Sequence, residues 1–388
     1  MCQHGPMKRI VIAGVTGSIG TQAVEVLAGN DAIAIVGMGA GRRAGELFDL
    51  AAQAGVTELA LAAERFAEQV PDGVTLRVGV GSIEALISEL KPDLVLNALV
   101  GYAGLSVTRS ALESGADVAL ANKESLVAAG HLVKELAAEN GCEIIPVDSE
   151  HASLAQLLEG VAPNEVSSLT LTASGGPFRG WTAERMANVT VEEALNHPTW
   201  AMGGKITIES ATMMNKGLEL IEAHHLFGFP YEDLNVLVHP QSIVHALVEL
   251  ADGMQLAHMG MPDMKAPIAW AVEGRTRRNI GVAPLGLAAV GSLTFEEPDL
   301  TAFAALPLAI AAGSRGGSAP AVLNAANEVA VTAFLEGRIP FGEIIPLVAG
   351  SLGQLEDLPG STFAELDEAD SAARALTAEA ANAIEVGA

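Results

Sequence analysis

Cysteine is nearly absent. Cys2 and Cys142 are the two in 388 residues, so there is no disulfide framework and no paired-cysteine metal knuckle, and a reducing cytoplasm is the expected compartment. Aromatic residues make up 4% of a chain that is 50% hydrophobic. Small aliphatic side chains therefore do most of the packing, which suits close-packed helices and parallel strands. Basic residues are outnumbered 21 to 47, for a net charge of −26. That average field repels a phosphate backbone or an anionic membrane surface, so neither nucleic acid nor a membrane is expected as a partner. A small anionic ligand would need a local basic pocket or a bound cation. Long apolar runs are missing too. None approaches the ~20 residues of a membrane-spanning helix, and the stretch Ile10 to Ala13 is too brief for a signal-peptide core.

The length exceeds what one hydrophobic core normally serves, so several domains are expected. Lys8 to Ala13 reads as a buried strand, followed by a glycine-rich turn, Gly14 to Gly20, and an apolar-periodic helix through Ala23 to Leu27. Further strands at Ala32 to Met38, Leu94 to Val100, Val118 to Ala121 and Glu143 to Val147 alternate with helical stretches such as Ser82 to Leu90 and Leu126 to Asn140. Such alternation implies an α/β fold with a doubly wound parallel sheet over residues 1–150. After Glu150 the texture changes. Ser168 to Thr172, Ile206 to Glu209, Leu234 to Val238 and Val244 to Leu250 read as strands of a separate sheet, giving an α+β domain over 151–280. Residues 281–306 read as a connector, and 307–388 as a helical bundle built on Ala319 to Glu336, Ile344 to Leu355 and Ala364 to Val386.

Three groups of residues carry chemistry. In the first, Gly14, Gly17 and Gly20 lie between a strand and a helix, where missing side chains let a pyrophosphate approach the helix amides. The next strand ends in Gly41, Arg42 and Arg43, where an NAD-preferring fold would place an acid on the ribose. Two arginines there suit a 2′-phosphate, hence NADPH; the alternative is a pair of solvated loop charges. The second group is Asp148, Ser149, Glu150 and His151 after a strand, the place where open α/β sheets bind ligands.

In the third group, helical spacing puts Asn215 and Lys216 on the same face as Glu219. An amide, an ammonium and a carboxylate one turn apart can grip an anion at one end and a cation at the other; the alternative is a surface Lys–Glu pair. Ser174 to Pro177 offers a hydroxyl on a glycine bend for a phosphate-like group, and His197 to Gly204 is a loop carrying Trp200 and Met202. That loop suits a lid that excludes water, although core packing of Trp200 is the competing reading. Of His239 and His245, one fits a site and the other a core.

These runs together closely resemble the 1-deoxy-D-xylulose 5-phosphate reductoisomerases. The resemblance is carried by TGSIG at Thr16 to Gly20, ANKES at Ala121 to Ser125, PVDSEH at Pro146 to His151 and SGGPF at Ser174 to Phe178. It continues in HPTWAMG at His197 to Gly203, SATMMNKGLE at Ser210 to Glu219, HPQS at His239 to Ser242 and LNAANE at Leu323 to Glu328. The sequence departs from the family pattern at Val15, and at Ala152 and Ser153 after His151. The resemblance implies an N-terminal Rossmann-like NADPH domain, a central catalytic domain and a C-terminal helical bundle. It makes Asp148, Glu150 and Glu219 the metal ligands, and an all-oxygen set favours Mg²⁺ or Mn²⁺ over zinc. Lys123 would join them in catalysis, while Ser149, Ser174, His197, Ser210, Asn215 and Lys216 would hold the substrate. Thr16, Gly17, Ser18, Ile19, Gly41, Arg42, Arg43, Asn122, Glu124 and Gly203 would contact NADPH.

The implied reaction converts 1-deoxy-D-xylulose 5-phosphate to 2-C-methyl-D-erythritol 4-phosphate by a skeletal rearrangement and a hydride transfer, a step in non-mevalonate isoprenoid synthesis. The resemblance also implies a cytoplasmic homodimer. Two rivals make different predictions. A simple NADPH-dependent dehydrogenase of a small phosphorylated or semialdehyde substrate would need no metal, and a nucleotide-sensing protein would bind without turnover.

Overall fold

The computed structural model describes residues 7–200, 202–275 and 277–387, and Cys2 lies outside them. The described residues form two compact units. The first comprises the chain up to Ser125, Val133–Ala152 and Asp263–Ala283; the second comprises Leu126–Leu132, Ser153–Pro262 and Pro284 onward.

Seven strands build the sheet of the first unit: β1 (Lys8–Ala13), β2 (Ile33–Ala40), β3 (Glu58–Leu61), β4 (Thr75–Val78), β5 (Leu94–Asn97), β6 (Asp117–Leu120) and β7 (Ile144–Pro146). Their order is β4-β3-β2-β1-β5-β6-β7, and every pairing is parallel. This is the expected doubly wound, Rossmann-like sheet. Its central strand is apolar on both faces because helices cover both: Ile10, Val11, Ile12 and Ala13 are fully buried. The winding reverses between β1 and β5, so the turn after β1 sits at the switch point where such sheets bind ligands. The helix that follows, α1 (Ser18–Leu27), is covered by a returning helix, Lys265–Val272. Lys265 pairs with Glu25 at 2.7 Å, and the Asn30 amide donates to Glu273 at 3.0 Å. Two further helices begin at the carboxyl ends of strands, α2 (Lys123–Asn140) after β6 and α3 (Ser149–Leu157) after β7. Strands β3 and β4 escaped the sequence reading; β4, at the sheet edge, has no fully buried residue and so no apolar run to read.

The second unit carries a four-stranded sheet, β8 (Val166–Ala173), β9 (Leu234–Val238), β10 (Val244–Leu250) and β11 (Gln255–Met259), in the order β11-β10-β8-β9. β8 and β9 are parallel and the other pairs antiparallel. Helices α4 (Gly204–Ala211), α5 (Met214–Phe227), α6 (Ala319–Leu335) and α7 (Phe363–Gly387) belong to this unit, with Ala305–Arg315 and Ile344–Gln354 between α5 and α7. One core joins sheet and helices, from Leu169, Leu171 and Val248 to Ile208, Leu218, Val322 and Phe334.

The strand expected at Ile206 to Glu209 is helix α4 instead. Two isoleucines and a threonine favour extended backbone, yet Ile208 and Ala211, three residues apart, are both fully buried. That burial outweighs a local preference worth a few tenths of a kilocalorie per residue. Among the described residues no helix is long and apolar enough to cross a membrane.

Candidate active site

In the first unit the candidate groups gather at the carboxyl ends of parallel strands. After β1 the chain turns sharply at Gly14, φ +88, where a Cβ would lie 2.5 Å from the Ala98 carbonyl oxygen. At Gly20 a Cβ would lie 2.4 Å from the Gly14 carbonyl oxygen, so the turn and the first helical residues can approach only without side chains. Gly17 is the N-cap of α1 and Ser18 its first residue, which leaves amides of the first turn free to meet an anion. Gly14 and Val15 both donate to the Gly39 carbonyl, at 2.8 and 2.9 Å, tying this turn to the end of β2. Arg42 and Arg43 follow that end and are exposed. The Arg43 guanidinium donates to the Thr16 carbonyl and pairs with Glu46, so one arginine braces the turn while Arg42 faces solvent.

The end of β6 holds a buried polar cluster. Asn122 is the N-cap of α2, accepting from the Ser125 amide at 3.0 Å, and its own amide donates to the carbonyls of Leu99 and Gly101 and to Glu124. Glu124 in turn accepts from the Gly101 amide at 2.9 Å. Asn122 and Glu124 are almost wholly buried, so their charge and dipole act on the Leu99–Gly101 backbone. Lys123 points elsewhere, its ammonium 3.0 Å from Asp148 Oδ2 at the end of β7. Asp148 also accepts from the Glu150 amide at 3.2 Å and lies 3.2 Å from Nδ1 of the buried His151, while the Ser149 hydroxyl donates to Glu150. One ammonium thus faces a short run of carboxylates.

In the second unit the glycine bend after β8 is left-handed at Gly175 and Gly176. The Ser174 hydroxyl there accepts from the Gly176 amide at 3.2 Å and meets His197 Nε2 at 3.0 Å. His197 Nδ1 accepts from the amides of Thr199 and Trp200, at 3.1 and 2.9 Å. With Nδ1 committed as an acceptor, Nε2 carries the proton and donates to Ser174. Burial lowers the His197 pKa, so the ring is held neutral. Trp200 and Met202 are half-buried, neither core nor fully exposed.

Ser210 sits near the C-terminal end of α4, not at the start of the next helix, because the chain breaks at Met213, φ +62, before α5 begins. Thr212 staples the break, donating to the carbonyls of Ile208 and Glu209 and accepting from the Met214 amide. On α5 the Asn215 amide and the Lys216 ammonium both donate to Glu219, as the spacing required. Lys216 and Glu219 are 4% and 1% exposed, which excludes a solvated surface pair. Of the two histidines, His239 is fully buried, its Nδ1 2.8 Å from the Thr294 carbonyl and its ring stacked on Phe295. Burial and the neighbouring His258 push the His245 pKa down to about 4.

Comparison with known proteins decides the family. Models for 1-deoxy-D-xylulose 5-phosphate reductoisomerase match residues 10–130, and those for its C-terminal domains match 144–227 and 259–376. The chain belongs to the 1-deoxy-D-xylulose 5-phosphate reductoisomerase family. It is 44% identical to the reductoisomerase of Pelodictyon phaeoclathratiforme, with 95% of this chain and 98% of the relative covered. With that of Mycobacterium marinum it shares 50% identity, over 89% of this chain and 85% of the relative. A solved reductoisomerase in complex with NADPH, fosmidomycin and magnesium is similar at TM-score 0.88 and 36% identity, with 98% of each chain covered. The Zymomonas mobilis reductoisomerase with NADPH aligns at TM-score 0.88 and 37% identity, over 97% and 99%.

For this member of the reductoisomerase family, sequence reasoning missed the residues behind the first-unit cluster. The Asn97 amide, at the end of β5, donates to the Gly104 carbonyl and to Thr108, and Thr108 bonds Ser125, all buried. A buried asparagine closing an apolar strand was the available signal. A second polar group was missed as well: Lys205 and Glu209 of α4 with Asn324, Asn327 and Glu328 of α6.

Proposed function

We propose that this chain converts 1-deoxy-D-xylulose 5-phosphate to 2-C-methyl-D-erythritol 4-phosphate with NADPH and a divalent metal ion, Mg²⁺ or Mn²⁺. The observation that carries this reading is the end-to-end correspondence with a reductoisomerase solved with NADPH, fosmidomycin and magnesium.

The residues present fit the two cofactors. A turn in which Cβ atoms at Gly14 and Gly20 would strike backbone is built for the close approach of a pyrophosphate at the start of α1. Thr16, Gly17, Ser18 and Ile19 would hold the nucleotide there, with Gly41, Arg42 and Arg43 at the 2′-phosphate and Asn122, Glu124 and Gly203 completing its site. Asp148, Glu150 and Glu219 would supply hard oxygen donors, the chemistry that suits Mg²⁺ or Mn²⁺. When bound, NADPH supplies the hydride and the metal ion polarises the substrate's oxygens.

The chain's own side chains do the rest. Ser174, Ser210 and Lys216 hold the phosphate, with His197 donating to Ser174 and kept neutral so that it orients without adding charge. Asn215 and Ser149 orient the polar backbone of the sugar. Lys123, one ammonium in a strongly acidic chain, stabilises negative charge that develops on substrate oxygen and moves the proton there. Trp200 and Met202 close over the substrate and exclude water from the hydride step. Residues 1–150 serve as the nucleotide domain, 151–280 as the catalytic domain, 281–306 as a connector and 307–388 as its helical support. The scarcity of cysteine supports a cytoplasmic location, and the reading includes a homodimer.

The test is NADPH oxidation with the sugar phosphate, with and without a chelator, and with product identification. Turnover that stops with chelator and resumes with Mg²⁺ is expected. Undiminished NADPH oxidation under chelation would point to a plain dehydrogenase.

A further inference from the structure

The run Leu323 to Glu328 has no task in the reaction described above, yet it carries a buried polar group of the second unit. Asn324, Asn327 and Glu328 stand three and four residues apart on one face of α6, and both asparagines are fully buried. The Asn327 amide donates to Glu209 Oε1 at 2.7 Å, and the same oxygen lies 2.7 Å from the Lys205 ammonium. Glu209 is 1% exposed. Glu328 accepts from the Asn324 amide at 3.2 Å, lies 3.9 Å from Lys205, and is held from the far side by Arg374 of α7 at 2.7 Å, itself paired with Asp370. Ion pairs and hydrogen bonds therefore tie α7 to α6 at Glu328 and α6 to α4 at Glu209, with the longer Glu328–Lys205 ion pair between them. Buried groups of this kind fix geometry, because any displacement strands a desolvated charge.

What α4 presents at that point is the residue after Glu209, namely Ser210. On its other side the Ser210 carbonyl is pressed against Gly176, φ +66, where a Cβ would lie 2.6 Å from that oxygen. Gly176 belongs to the bend that holds Ser174. The end of α4 is thus gripped between a polar anchor on α6 and a glycine bend that accepts only one position of the helix. At its other end α4 begins at Gly204, with Gly203 as N-cap, directly after the Trp200 and Met202 loop.

We propose that Asn327 and Glu209, supported by Lys205, Asn324 and Glu328, are positioning residues for the substrate phosphate: the helical C-terminal region sets where α4 ends, and so where Ser210 meets the phosphate. This rests on the reading of Ser210 as a phosphate-binding residue. A structural role alone would make the same side chains matter for stability only. A positioning role makes them matter for the sugar phosphate and not for the nucleotide.

The experiment compares Asn327→Asp, the exchanged pair Glu209→Gln with Asn327→Asp, Asn327→Leu and Ser210→Ala by steady-state kinetics and thermal melting of the full chain. Asn327→Asp sets two carboxylates against each other and should raise KM for the sugar phosphate tenfold or more, with kcat and KM for NADPH within about threefold. The exchanged pair restores one carboxylate facing one amide and should return KM to within about threefold of the parent. Should Asn327→Asp not fold, the uncharged Asn327→Leu carries the test, with a KM increase of about fivefold expected. If Ser210→Ala raises KM while the folded Asn327 variants only lower the melting temperature, the positioning role is overturned and the phosphate reading stands. If Ser210→Ala leaves KM unchanged, the phosphate reading of Ser210 fails and this inference fails with it.

Discussion

The turn after β1, in the first unit, and the start of α5, in the second, hold their candidate groups by different means. In the first, proposed for the nucleotide, the groups are backbone: amides at the start of α1, a left-handed glycine, and carbonyls at the ends of β1 and β2. In the second, the groups are side chains with buried charge, above all Lys216 and Glu219, ordered by a helix break and a glycine bend. A backbone site tolerates any residue that leaves the turn alone and fails when a Cβ is added. A side-chain site tolerates small shape changes and fails when a charge is removed.

The largest expected effect is on the charge side of that contrast. Glu219→Gln should lower kcat by at least ~100-fold, about 3 kcal/mol of transition-state stabilisation, and should blunt the response to Mg²⁺ while KM for NADPH stays near the parent value. Circular dichroism must show the variant folded. Near-normal kcat at saturating Mg²⁺ would remove Glu219 from the metal site. The matching test of the backbone side is Gly14→Ala, where the left-handed turn and the approach to Ala98 add about 1–3 kcal/mol of strain. It should weaken NADPH binding tenfold or more, read by fluorescence titration, and leave Mg²⁺ dependence intact. Equal losses for both ligands would erase the distinction between the units.

A smaller effect is expected at Arg42 and Arg43. Arg42→Asp with Arg43→Ala should cut the preference for NADPH over NADH by roughly 10-fold or more, the scale of one or two charge-assisted bonds. An unchanged preference would return both arginines to ordinary loop charges. A pH effect on stability is expected in the second unit. His245 is buried and its pKa is pushed down to about 4, against ~6.5 in an unfolded chain. The unfolded state therefore binds the extra proton first, so stability is full above about pH 6.5 and falls as the pH drops toward 4. At pH 5 the cost is on the order of 2 kcal/mol, and His197, lowered in the same direction, adds to it. His245→Asn should melt with a smaller loss of Tm between pH 7 and pH 5 than the parent chain. An equal loss would show that other groups drive the acid sensitivity.

Much of this contrast was readable in the chain itself. The buried strand β1, the glycine spacing after it and the sheet it implies are local patterns, because strand burial and tight turns are settled by residues a few positions apart. The face shared by Asn215, Lys216 and Glu219 follows from helical geometry alone. Tertiary structure decided what no local pattern could. Ile206 to Glu209 has the side chains of a strand and became α4 because Ile208 and Ala211 are buried together in the core. The run Ser210 to Glu219 is not one helix but is broken at Met213, where packing sustains a backbone conformation that an isolated segment would avoid. The bond from Asn327 to Glu209 spans 118 positions. Sequence dictated which polar groups exist and which local elements they ride on. Which of them meet depends on a core built from distant segments, where burying an unpaired charge costs more than any local preference can recover.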